Sequence, residues 1–185
     1  NPYTKKCYDD KKFAFLSDYV RLVVIEANGG IYFDTDVEVV KSFDDLLDCK
    51  AFFGFETNEY VNTGVGFGAE AHNPAIIQML KEYEPLLDGR QGIIGCPHLN
   101  TKALIKCGLK KNGQKQDLKD ASVFPAEYFN PYDAPTGKLN KSELTYSIHW
   151  YAASWMDKKQ RLRSKISKPI HRLLGKDFFR KKQKN

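Results

Sequence analysis

Cysteine, methionine and tryptophan are scarce, with four, two and two residues in a chain of 185. Cys7, Cys49, Cys96 and Cys107 are widely spaced without a CxxC pair, in a chain too long to depend on disulfide staples, so reduced, semi-buried thiols are expected. Cys96, His98 and Cys107 follow no common zinc spacing, which argues against a structural zinc site. No apolar run reaches eighteen residues, so no helix is expected to span a bilayer, and no leader pattern opens the sequence. Phosphate loops of the GxxxxGK[ST] kind are missing, as are internal repeats and low-complexity linkers. The first residue is Asn1, not Met, so a fragment or processed product is expected.

The composition is that of one globular domain, 42% hydrophobic and 13% aromatic. The net charge of +6 is unevenly distributed: residues 1–155 carry 17 basic and 21 acidic side chains, whereas residues 156–185 carry 12 and 2. A nucleic-acid enzyme would line its folded part with positive charge, so nucleic acid is not an expected partner. In the basic tail, Leu162, Ile166, Ile170 and Leu173 recur at helical intervals around a break at Pro169. Such an amphipathic segment suits an anionic membrane surface, giving an expected location in the cytoplasm, peripheral on the inner face of the plasma membrane.

The densest chemistry lies in Gly29-Gly30-Ile31-Tyr32-Phe33-Asp34-Thr35-Asp36-Val37. Side chains alternate along a strand, so Tyr32, Asp34 and Asp36 are expected on one side and Ile31 and Phe33 on the other. Two acids on one side suit a single cation. The apolar run predicts a central, buried strand with the acids at its carboxyl end, where open α/β sheets bind ligands.

Around it, Lys11 to Asn28 reads as a helix apolar on much of its circumference, ended by Gly29-Gly30. Its Asp18 and Arg21, three apart, fit an intrahelical ion pair. Ala51 to Glu56 reads as a second buried strand ending in an acid, and Tyr60 to Gly68 as a glycine-rich strand allowing close approach. Helices are expected from Asn73-Pro74 to about Glu84 and from Leu99 to Lys106, with an aromatic, proline-broken segment around residues 123–132. Tyr146 to Trp155 is the second concentration of chemical groups, a strand ending in His149 that reaches back to the same pocket.

Several chemistries compete for Asp34 and Asp36. An EF-hand fails because Val39 stands where the turn glycine is needed and Asp45 where a bidentate Glu belongs. A haloacid-dehalogenase-like phosphatase would use Asp34 as nucleophile and Asp36 as acid and base, but no later lysine and acidic pair completes it. In a nucleotide-sugar site the acids hold a divalent cation against a diphosphate leaving group. A catalytically inactive sugar-nucleotide or saccharide-binding module is the non-enzyme alternative.

Phe13-Ala-Phe-Leu-Ser-Asp-Tyr-Val-Arg21, the Gly29 to Asp36 stretch, Phe53-Gly-Phe-Glu56, Asn62-Thr-Gly-Val-Gly-Phe-Gly68 and the late His149 with Ser154-Trp155 together resemble the DXD glycosyltransferases of family 32. That family includes yeast mannosyltransferases and bacterial capsule and lipopolysaccharide sugar transferases, and the large clostridial toxins share its core. The resemblance covers about residues 5–155. It implies an α/β fold of the GT-A type, Rossmann-like, with a single mixed central sheet flanked by helices. Residues 1–155 would form the catalytic domain, lacking the family's first strand and helix, and residues 156–185 the tail. It further implies a nucleotide diphosphate sugar donor, a UDP-sugar by expectation, Mn²⁺ or Mg²⁺, a saccharide or lipid-linked acceptor in cell-surface polysaccharide synthesis, and retention of anomeric configuration. By position, Asp18 and Arg21 resemble the pair contacting the donor's sugar or ribose and diphosphate, which replaces the plain ion-pair reading. Tyr32 resembles a wall of the nucleotide site, Asp34 a donor and metal contact, and Asp36 the direct metal ligand. His149, Ser154 and Trp155 resemble the group completing the metal and pyrophosphate shell, and Glu56 and Asn62 are further catalytic candidates lining the pocket.

Overall fold

The computed structural model describes residues 1–152, 167–173 and 175. An Asn-Pro opening starts helix α1 (Pro2–Asp9), with the Asn1 side chain accepting from the Thr4 backbone N–H at 3.0 Å. Helix α2 (Phe13–Asn28) follows and stops at Gly29, whose φ is +68°. An added Cβ there would stand 2.8 Å from the Ala71 backbone nitrogen, so conformation and space both require glycine. The orientation of α2 differs from the apolar-inward expectation. Val20 and Val24 are 42% and 49% exposed, while the inward stripe is Asp18, Arg21, Leu22 and Ile25. These positions share one helix face, and its two charges are turned inward because each neutralises the other.

Strands β1 (Gly30–Tyr32), β3 (Ala51–Gly54), β4 (Phe67–Ala69), β5 (Gln116–Asp117) and β6 (Ser122–Phe124) form a sheet in the order β1-β4-β3-β6-β5. The β3–β6 pair is parallel and the others antiparallel. The molecule is therefore α/β with a mixed central sheet, as the resemblance implied. The strand before the acids is not central, however. It is a three-residue edge strand with Gly30 and Ile31 exposed, and the centre belongs to the wholly buried Ala51–Gly54. Length and burial explain the exchange: four consecutive buried residues fill a middle position, whereas Gly-Ile-Tyr ends before the first acid.

Alternation in β3 sends Phe53 and Phe52 into different packed layers. Phe53 joins Leu22, Ile25, Phe67 and Val123 with residues of α3 (Pro74–Tyr83) and α4 (Cys96–Lys106). Phe52 joins Phe43, Val65, Phe124, Phe129 and Tyr146, and Phe33 packs on that aromatic cluster with its ring centre 5.1 Å from Phe43's. Helix α4 starts at Cys96, earlier than expected, because Pro97 is suited to a first helical turn. The expected glycine-rich strand is divided by a 3₁₀ turn at Thr63–Val65, with Val61 bridged to Phe55 before it and Phe67–Ala69 a strand after it.

Strand β2 (Val37–Val39) pairs with β9 (Ser147–His149) in a separate antiparallel sheet that sets Val37 opposite His149. Between β6 and β9 lie α5 (Ala126–Phe129) and the hairpin of β7 (Tyr132–Asp133) and β8 (Lys138–Leu139). In the tail, residues 167–173 are helical and include Pro169, and Lys168 Nζ donates to the Tyr132 hydroxyl at 3.0 Å. Ser154 and Trp155 lie outside the described residues.

Candidate active site

The end of β1 delivers its side chains as alternation requires. Phe33 is anchored in the aromatic cluster, and Tyr32 and Asp34 face the other way, where the Tyr32 hydroxyl donates to Asp34 Oδ1 at 2.8 Å. Asp34 opens the turn that joins β1 to β2 and Asp36 lies within it, closed by the Val37 N–H donating to the Asp34 carbonyl at 3.1 Å, so the two acids are not on one continuous strand. That turn brings Asp34 Oδ1 to the inward face of α2, where Arg21 Nη1 donates to it at 3.2 Å.

Arg21 is almost fully buried and is held on several sides. It pairs with Asp18, donates from Nε to the Ser17 carbonyl at 3.1 Å, and places its guanidinium carbon 4.8 Å from the centre of the Tyr32 ring. Asp18 and Arg21 therefore form the intrahelical ion pair and also join the first acid of the DXD turn. Burial opposes the Arg21 charge, but Asp18, Cys96 and Asp34 outweigh it and raise its pKa further. Burial raises the Asp18 carboxyl above its ordinary range, against the opposing charge of Arg21. The Tyr32 phenol is pushed up to about 12 by burial, with Arg21 opposing and Asp34 reinforcing, so it remains a donor at neutral pH.

Asp36 is held by the far end of the chain. His149 Nε2 lies 3.1 Å from Asp36 Oδ1, the Ala152 backbone N–H donates to Asp36 Oδ2 at 2.7 Å, and the Trp150 N–H donates to the Asp36 carbonyl at 3.0 Å. Ligand atoms of Asp34, Asp36 and His149 all lie within 4.8 Å of one another. The buried Nδ1 of His149 has no hydrogen-bond partner among the described residues, so Nε2 is the atom that His149 presents to the two acids. Two carboxylates and one imidazole fit a hard or borderline divalent ion such as Mg²⁺ or Mn²⁺.

Glu56 and Asn62 lie together beside this group. Asn62 Nδ2 donates to Glu56 Oε1 at 3.1 Å, and Asn62 Oδ1 accepts from the Gly64 N–H at 2.7 Å and the Cys96 thiol at 3.3 Å. Helix α4 supports the loop, with Thr101 Oγ1 accepting from the Val61 N–H at 2.8 Å and Asn100 Nδ2 donating to Thr63 Oγ1 at 3.0 Å. Gly64 packs so tightly that an added Cβ would stand 2.6 Å from Asp34 Oδ2 and 3.2 Å from Arg21 Nη1. Asp18, Arg21, Tyr32, Asp34, Asp36, Glu56, Asn62 and His149 are thus brought together, directly or through Gly64 and Cys96.

Three neighbours were not singled out from sequence: Gly64, Cys96 and Tyr151. The Tyr151 hydroxyl donates to Glu56 Oε1 at 2.8 Å, and its ring centre lies 4.1 Å from that of His149. Burial and the Glu56 carboxylate hold its phenol well above the ordinary range. Tyr151 lies past the end of β9, where a φ of +49° breaks the strand alternation that could have signalled it. The glycines of residues 60–68 were already a sign of close approach, without saying to which group. For Cys96, nothing in the local sequence signals the contact.

Residues 1–53 match the family model described as a glycosyltransferase sugar-binding region containing the DXD motif. A 48-residue segment, 26% of this chain, is 44% identical to glucan organizing enzyme 1 of Cryptococcus neoformans var. grubii serotype A and spans 13% of that protein. Among solved structures, the PaToxG glycosyltransferase aligns with 56% of this chain and 38% of its own at 24% identity and a TM-score of 0.44. The matched region includes the DXD turn, and the chain spans about an eighth of the length of the curated relative.

Proposed function

We propose that this chain, whose residues 1–53 match a glycosyltransferase sugar-binding region, is a metal-dependent, retaining glycosyltransferase. It would move a sugar from a nucleotide diphosphate sugar, a UDP-sugar by preference, to a saccharide or lipid-linked acceptor in cell-surface polysaccharide synthesis. The observation that carries this reading is the convergence of Asp34, Asp36 and His149 within 4.8 Å, against the buried Arg21. Asp34, Asp36 and His149 would hold Mn²⁺ or Mg²⁺, which when bound supplies positive charge to the leaving diphosphate.

The protein's own groups have separable tasks. Arg21, kept charged and fixed by Asp18, gives positive potential beside Asp34 and limits repulsion between the acids. Tyr32 orients Asp34 through its hydroxyl and forms a wall. The Ala152 N–H holds one Asp36 oxygen and thereby aims the other toward His149. The acceptor hydroxyl would attack from the face that the diphosphate leaves: its oxygen bonds to the anomeric carbon as the bond to the diphosphate breaks, and its proton passes to the departing phosphate oxygen, which retains configuration. The basic tail rests on an anionic membrane surface, which would hold the enzyme close to a lipid-linked acceptor.

The test is turnover with a panel of UDP- and GDP-sugars and Mn²⁺, read as nucleotide release, for the chain and for Asp36→Ala. Release by the unaltered chain that is lost in Asp36→Ala and in EDTA, with folding intact, is the expected result. Full activity in EDTA or in the variant would refute the metal-donor reading. Binding of nucleotide sugar without release would favour a saccharide-binding module instead.

A further inference from the structure

We propose that Glu56 binds a hydroxyl of the transferred sugar and that Tyr151 is its positioning residue, tying this sugar contact to the metal-site histidine. The inference rests on the nucleotide-sugar reading above and assigns Glu56 a binding task within it. Both donors that reach Glu56 converge on one oxygen: the Tyr151 hydroxyl at 2.8 Å and Asn62 Nδ2 at 3.1 Å both meet Oε1. Among the described residues no donor reaches Oε2. A half-buried carboxylate fixed through one oxygen presents the other as a charged acceptor of defined direction, which suits a neutral hydroxyl and disfavours a second anion such as the diphosphate.

Tyr151 is built for this task at some conformational expense. Its φ is +49°, in the left-handed region that a bulky side chain seldom occupies. Its hydroxyl is further fixed by Asn130 Nδ2, which donates to it at 2.9 Å and also to the Glu56 carbonyl at 3.2 Å. The same residue packs its ring on His149, which meets Asp36. Tyr151 therefore contacts the acid proposed to face the sugar and the imidazole proposed to face the cation. An outlying backbone conformation that serves both is the kind of strain that surrounding structure keeps at functional sites.

The discriminating measurement is calorimetric affinity of the full chain, with Mn²⁺, for UDP-glucose against UDP and for GDP-mannose against GDP. The unaltered chain should bind one sugar nucleotide more tightly than its bare nucleotide. Tyr151→Phe and Glu56→Gln should each weaken that sugar nucleotide about tenfold while leaving bare nucleotide and Mn²⁺ affinities within about twofold. The double variant should lose no more than Glu56→Gln alone, because Tyr151 acts through Glu56. Equal losses for nucleotide and sugar nucleotide, additive losses, or a lower unfolding temperature of Tyr151→Phe with unchanged sugar preference would each overturn the inference. If Tyr151→Phe does not fold, unchanged sugar preference in Glu56→Gln overturns it by itself. Absence of any nucleotide binding by the unaltered chain would instead sink the nucleotide-sugar reading, and this inference with it.

Discussion

Arg21 donates to Asp34 across 3.2 Å, joining the inward face of α2 to the turn that carries the two acids. Because Arg21 also pairs with Asp18, the helix and the turn share one buried cation. Replacing Arg21 with Met should leave Asp18 buried and uncompensated and cost about 3–5 kcal/mol of stability, the usual result of removing one partner from a buried pair. Urea unfolding would measure it, and a loss below about 1 kcal/mol would mean that Asp18 does not depend on Arg21 for its compensation.

Gly64 tests the site without removing a functional group. A Cβ at this position would stand 2.6 Å from Asp34 Oδ2, so Gly64→Ala should turn the Asp34 carboxylate away. The backbone there is not in the left-handed region, so the unfolding midpoint should change little while turnover falls at least about tenfold. Unchanged turnover would show that the Asp34 orientation is not critical.

Glu82 offers a pH test remote from the chemistry. Its side chain is 4% exposed and meets Lys102 at 2.8 Å and also Lys106. Burial works to raise its pKa, but the hydrogen bonds and charges of the two lysines prevail and hold it below the ordinary glutamate value of 4.5. The unfolded chain therefore binds the Glu82 proton more readily than the folded one. The stabilisation is present above pH 4.5 and is lost as pH falls through the lower folded value. Urea midpoints recorded from neutral pH down to about pH 3 should fall more steeply for the natural chain than for Glu82→Gln. Parallel curves would dismiss Glu82 as a source of acid sensitivity.

The basic tail is testable by sedimentation with vesicles. Removing residues 157–185 takes away 12 of the 29 basic side chains, leaves the remainder net acidic, and should reduce co-sedimentation with phosphatidylserine-containing vesicles, an effect that high salt reproduces in the intact chain. Equal binding of both forms would refute a lipid-facing tail.

The sequence was most legible where chemistry follows from short spacing. Asp18 and Arg21 at i and i+3, Tyr32 and Asp34 at i and i+2, and Gly29 at a helix end all appear as local rules dictate. Asp36 and His149 also came together as expected, although 113 positions apart. Less legible was the rank of the strands: an apolar Gly-Ile-Tyr run resembles an interior strand until Ala51–Gly54 claims the centre. The direction of α2 was also hidden, because valines on one face suggest burial more strongly than a charged pair does. Tyr151 escaped notice because its task depends on a left-handed backbone and on two groups distant in sequence, Asn130 and Glu56.

The clasp of His149 through Ala152 around Asp36 has a consequence for biosynthesis. The contacts that fix the second acid come from residues more than a hundred positions later, so a nascent chain that has emerged through β8 has both acids but no clasp. Such long sequence separation places assembly of the pocket late in folding. A chain that lacks the segment from His149 to Ala152 would then present Asp36 without its partners, so the second acid gains its fixed direction only once that segment is in place.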